Sequence, residues 1–125
     1  MATQTITIED FMKKATKEQK ELLFSMSELA EQEKKVADTI EKKVAPHRRN
    51  AENANELIDG QYAGIIRQDA QEYAVLATVN ERKELNGIRE KMKELMIKAV
   101  KNYNMGTVGI IQRNYKHYVG KPMPQ

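Results

Sequence analysis

Residues 7–45 read TIEDFMKKATKEQKELLFSMSELAEQEKKVADTIEKKVA, and the apolar spacing in this stretch decides the fold class. Ile8, Met12, Ala15, Leu22, Met26, Leu29, Val36 and Ile40 recur at alternating intervals of four and three once Gln19 and Glu33 fill the gaps. A 3.5-residue period held over about five heptads is the period of a left-handed helix seam. Lys and Glu occupy the other faces, favour helix intrinsically and keep them hydrated. Thr7 is placed to cap the start, with Asp10 three residues on as the capping-box acid, and Ile6 and Phe11 have hydrophobic-staple spacing. Glu9 and Asp10 complement the helix dipole. Pro46 is expected to end the helix by moving Ala45 out of the helical region. A rod of about 55–60 Å cannot bury its own stripe and needs a partner helix. Gln19 and Glu33 on the seam read as residues that select register or oligomer state.

Composition sets the other limits. A chain of 125 residues is one domain by length. A hydrophobic content of 40% with no Trp favours thin helix-on-helix packing over a thick globular core. The absence of cysteine excludes a disulfide framework and thiol chemistry, and suits a reducing cytoplasm. No apolar run is long enough to span a membrane, and Met1-Ala2-Thr3-Gln4 lacks the pattern of a signal peptide. A cytoplasmic location is therefore expected. The formal charge of +3 is mild but unevenly placed: after Glu94 come Lys98, Lys101, Arg113, Lys116 and Lys121 with no carboxylate among them.

Beyond the first helix, Pro46-His-Arg-Arg-Asn50 reads as a connection, with Asn50 placed to cap the next helix. Leu57, Ile58, Tyr62, Ile65 and Ile66 form a second stripe at helical spacing, continued by Tyr73, Leu76 and Val79. Asp59-Gly60 is turn-like, yet the apolar phase favours a continuous or kinked helix there. The segment Asn80–Glu84 is wholly polar. The seam resumes on a shifted phase at Leu85, Ile88, Met92, Leu95 and Ala99, which implies a stutter or a turn with Asn80 as cap. Asn104-Met105-Gly106 is expected to supply a left-handed stop. Ile111, Tyr115 and Tyr118 suit a short terminal helix, and Gly120, Pro122 and Pro124 an extended tail. The expected fold is all-α: a long antiparallel helical hairpin or coiled-coil-like bundle of three to four helices. Residues 1–6 form an N-terminal extension, 7–106 the helical domain and 107–125 a basic C-terminal segment.

Chemistry is sparse. His47 and His117 have no ligand partner at helical spacing, so no metal site or di-iron pair is indicated. Gly106-Thr-Val-Gly109 follows a helix and lacks the Gly-Lys-Ser/Thr of a phosphate loop. Glu18, Glu21 and Glu31 sit among lysines as solvated faces, and Asp69 and Glu72 flank the second stripe. No enzyme activity, metal or cofactor is expected. In outline, a long helical hairpin with a separate C-terminal segment is similar to small helical export chaperones, such as those for flagellar hook-associated proteins, a likeness of architecture alone.

Contact with partners is the expected function, in an adaptor or chaperone-like role. The partner-binding candidates are Met26, Met92 and Met96 on the seams, where methionine adapts to a partner helix, and Arg113, Tyr115, Lys116, Tyr118 and Lys121, where Tyr and Arg are favoured anchors. The partner is a helical protein, a second copy of the chain, or both. The alternative is a small nucleic-acid-binding protein, such as a phage- or plasmid-derived one. Cations interleaved with aromatics suit phosphates and stacked bases, and its contacts would be Arg48, Arg49, Arg113 and Lys116.

Overall fold

The computed structural model of the chain describes residues 7–57 and 59–124. Among them are five α-helices, a 3-10 turn and no strand: α1 (Ile8–Lys14), α2 (Lys17–Ala54), α3 (Gly60–Ala77), α4 (Val79–Asn102) and α5 (Met105–Asn114), followed by the turn Tyr115–Tyr118. The protein is an all-α bundle. Its helices contribute to two compact units. The terminal unit takes the residues up to Glu33 and those from Ile88 onward, and the central unit takes Lys34–Gly87. The expected N-terminal extension, with Ile6 in it, and Ile58 lie outside the described residues.

In the terminal unit, Thr7 caps α1 as expected: the Asp10 amide donates to Thr7 Oγ1 at 3.2 Å. The single helix expected over 7–45 is nevertheless interrupted. Ala15 is extended, with ψ of 140°, and α2 starts afresh through a reciprocal capping box. The Gln19 amide donates to Thr16 Oγ1 (3.2 Å), and the Thr16 amide donates to Gln19 Oε1 (2.9 Å). Two amides that a helix start leaves orphaned are thus satisfied. Gln19 caps a helix here.

The core of this unit joins Phe11, Leu22, Leu23, Met26, Ala99, Val108, Ile110 and Ile111. Leu23, Met26 and Ile111 are fully buried, each worth ~1.5–3 kcal/mol in apolar transfer. Leu23, Phe24 and Ser27 are buried although they lie off the seam. The reason is that α2 is covered on more than one side: α1 packs on α5, and Tyr118 lies on Phe24 with ring centroids 4.9 Å apart. The left-handed stop expected at Asn104–Gly106 does not form. Asn104 instead caps α5, its Oδ1 accepting from the Thr107 amide at 2.8 Å, and Gly106 and Gly109 lie within that helix. Among the described residues only Gly120 has a positive φ, 77°.

In the central unit, α2 does not stop at Pro46 but runs through it to Ala54. The proline removes one hydrogen bond and costs about 3 kcal/mol in a helix interior. Side-chain contacts form on both sides of it. The Glu41 carboxylate takes both terminal nitrogens of Arg48 (2.5 and 3.0 Å), bridging past the proline. His47 stacks on Tyr73 at 6.3 Å, and Ala54 is buried. Asn50 is consequently a mid-helix residue and no connection exists at 46–50. The break comes later: Asp59 caps α3 by accepting from the Gln61 amide at 2.9 Å. Asp59-Gly60 therefore begins a helix, in place of the expected continuity.

Here α2 and α3 run antiparallel, since His47 meets Tyr73 while Asn55 accepts from Arg67 at 2.6 Å. Lys43 pairs with Glu81 in the first turn of α4. The second break falls at Thr78, two residues before the polar run that signals it. The buried Thr78 hydroxyl donates back to the Ala74 carbonyl (2.8 Å) and accepts from Arg82 Nε (2.8 Å). A hydroxyl bonded to its own preceding turn competes with regular helix. Asn80 is thus inside α4 and does not cap it.

Candidate functional site

Within the terminal unit, α2, α4, α5 and the 3-10 turn enclose a cleft of about 380 Å3, within the size range of ligand pockets. Met26, Met92 and Met96 line it, together with Gln112, Arg113, Tyr115 and Lys116. The seam periodicity places Met92 and Met96 one turn apart on α4, and both pack against the core that contains Met26. Arg113 is exposed near the end of α5, its guanidinium lying along Gly109 at ordinary contact distance from where a methyl would stand. Lys116 is exposed one residue beyond Tyr115, and its ammonium is 6.0 Å from that ring. No carboxylate among the described residues lines the cleft. Methionines and two cations lining one cleft fit an apolar group that carries negative charge.

Six of the eight sequence-derived partner contacts meet in this cleft: Met26, Met92, Met96, Arg113, Tyr115 and Lys116. Met26 is fully buried and belongs as much to the fold as to the site. Tyr118 lies elsewhere, against Phe24. Burial, and next the nearby Glu9 carboxylate, push its hydroxyl above the ordinary tyrosine range. Burial, and next Glu18, do the same for Tyr103. Lys121 covers Tyr118 at 5.7 Å from the ring centroid, with its ammonium 3.2 Å from His117 Nε2.

Arg48 and Arg49 belong to the central unit, Arg113 and Lys116 to the terminal one. Arg48 lines a groove of about 490 Å3 with His47, Arg67, Gln71 and Arg82, but Arg49 does not. The Glu41 carboxylate occupies Arg48 and is itself held below the ordinary carboxylate range, first by the hydrogen bond from Arg48 and then by its charge. Sequence reasoning misses Arg67 and Arg82 as site residues. Their relation to Arg48 is set by the α2–α3 pairing and is invisible in sequence spacing.

The central unit also reverses a sequence expectation. The stripe Tyr62, Ile65, Ile66, Tyr73 and Leu76 has the periodicity of an inward helix face, but all five side chains are exposed. Ala63, Ala70 and Ala74 are buried in their place, because small side chains let helix backbones approach closely. Asp69 and Glu72, expected to flank an inner stripe, are exposed with it.

No family model, curated protein or solved structure matches the chain. Among the described residues no group of three or more His, Asp or Glu is placed to hold a metal ion, and no helix is long and apolar enough to cross a membrane.

Proposed function

We propose that the protein is a helical protein–protein interaction module, a cytoplasmic adaptor or chaperone-like binder, which receives an acidic amphipathic helical segment of a partner in the methionine cleft. The supporting observation is the make-up of that cleft: the half-buried Met92 and Met96 line it together with Arg113, Tyr115 and Lys116, and no carboxylate does. Methionine adapts to varied apolar shapes, and the cations after Glu94, with no carboxylate interspersed, favour a negatively charged partner.

Anisotropy of a labelled helical peptide of leucine and glutamate tests this. The peptide binds the full chain, and its leucine–lysine counterpart does not. Arg113→Glu with Lys116→Glu weakens binding about tenfold or more, the loss expected for reversed charge contacts. Met92→Glu, at a half-buried position, weakens it as well. Met26→Glu tests the fold instead, since Met26 has no exposed surface. Equal binding of both peptides, or of neither, overturns the proposal.

The groove of Arg48, Arg67 and Arg82 supports a second reading, a nucleic-acid-binding protein, because guanidinium groups are favoured phosphate partners. Binding of an oligonucleotide that weakens steeply with salt, and is lost with Arg67→Gln and Arg82→Gln while the acidic peptide fails to bind, would establish that reading.

A further inference from the structure

The exposed face of α3 carries an ordered pattern of apolar side chains. At about 100° per residue, Tyr62, Ile65, Ile66, Asp69, Glu72, Tyr73 and Leu76 fall within one arc of roughly a third of the helix, beside the buried alanines, and its Ile66, Asp69 and Tyr73 edge borders a cleft shared with His47, Ala54 and Leu57 of the same unit. Tyr62, Tyr73 and Leu76 are 63%, 61% and 70% exposed. With aromatic side chains of ~150–250 Å2 each, the arc leaves on the order of 500 Å2 of apolar surface open on one helix, at the upper end for a monomer.

Four of the five apolar positions are also arranged symmetrically about Asp69, and the fifth, Ile66, has Glu72 as its counterpart. Tyr62 lies seven residues before it and Leu76 seven after; Ile65 lies four before and Tyr73 four after. An antiparallel copy of the same helix, related by a two-fold axis at Asp69, therefore sets Tyr62 against Leu76 and Ile65 against Tyr73 twice over. A two-fold interface requires this kind of self-complementarity. We propose that α3 is the interface of a reversible homodimer, paired antiparallel with α3 of a second copy. Two such faces remove about 1,000 Å2 from water, the lower limit for a specific interface and the range of transient association. The two Asp69 carboxylates meet at the axis and weaken the pairing, as a polar residue on a helix seam does.

The absence of cysteine from the sequence makes the geometry directly testable. Under mild oxidation of the full chain, Asp69→Cys forms a disulfide-linked dimer by itself. Tyr62→Cys and Leu76→Cys form one only when the two variants are mixed, because the two copies of either residue stand about 21 Å apart along the antiparallel pair. By analytical ultracentrifugation the unmodified chain doubles from 14.4 kDa as concentration rises. Tyr62→Glu with Leu76→Glu raises the dimer dissociation constant about tenfold or more without loss of helical circular dichroism, the substituted positions being exposed, and Asp69→Asn lowers it severalfold. A chain that stays monomeric at every concentration overturns the proposal. So does a dimer indifferent to the double glutamate variant, or Tyr62→Cys that cross-links to itself.

Discussion

The two units place their large apolar side chains in opposite ways. The terminal unit buries Leu23, Met26 and Ile111 and leaves a small cleft at their edge. The central unit buries Val36, Ala54, Ala63, Ala70, Ala74 and Thr78 and leaves Tyr62, Ile65, Tyr73 and Leu76 exposed, Tyr73 with one ring face against His47. One unit covers its largest apolar side chains, and the other leaves a stripe of them exposed. The same kind of apolar stripe thus has two destinations, and the neighbouring backbone, not the stripe, decides which.

The contrast is broken most directly by truncating leucines. Leu23→Ala should cost ~2–5 kcal/mol, the range for a fully buried leucine, whereas Leu76→Ala should change stability by less than about 0.5 kcal/mol, as at ordinary exposed sites. Urea denaturation of the two variants measures both. Equal losses would mean that Leu76 is packed inside its own unit and that the contrast is false.

Pro46→Ala probes how far packing in the central unit sustains an unfavourable helix. It should stabilise the protein by up to about 3 kcal/mol by restoring the missing hydrogen bond. A loss on thermal or urea unfolding would mean that the ring itself is required. Enlarging the alanine seam attacks the same unit from inside. Ala74→Leu should destabilise by ~1–3 kcal/mol through overpacking, and unchanged stability would show room where close helix approach is inferred.

Legibility in sequence divides along the same line. The seam phase through Leu22, Met26, Leu29, Val36 and Ile40 is reflected in the burial of α2, where each is buried or half-buried. Thr16-x-x-Gln19 carries a readable capping-box signature, obscured because Gln19 also completes the heptad pattern. Pro46 reads as a stop because local propensity cannot register that Glu41, Arg48, His47 and Tyr73 hold the helix on both sides. The stripe of α3 reads as inward because periodicity reports that a face is apolar, not which face is covered. The alanines beside it are the available signal, each too small to count as core on its own. In the terminal cleft, the methionines and the cations are legible as residue types. Their meeting is not, since it depends on α5 docking beside α2.

A smaller effect sharpens the account of that docking. Burial keeps Tyr103 and Tyr118 neutral beyond the ordinary tyrosine pKa of 10.0. A group whose folded pKa is raised contributes fully below its unfolded value and loses that contribution as pH climbs through the folded one. Stability should therefore fall above about pH 10, and Tyr118→Phe should flatten part of that fall in denaturation measured across the alkaline range. An unaltered profile would mean that Tyr118 is solvated rather than packed on Phe24.

The division of the chain also has a consequence for its synthesis. The terminal unit joins the residues up to Glu33 to those from Ile88 onward, with the whole central unit between them. On the ribosome, Leu22, Leu23 and Met26 emerge well before their partners Ile110 and Ile111, which belong to α5. The central unit can order itself as it emerges, but the terminal core waits for α5. A nascent chain halted before Asn104 carries its stickiest segment uncovered, open to capture by chaperones or degradation. A chain that has added α5 can close that core, and one stalled before it cannot.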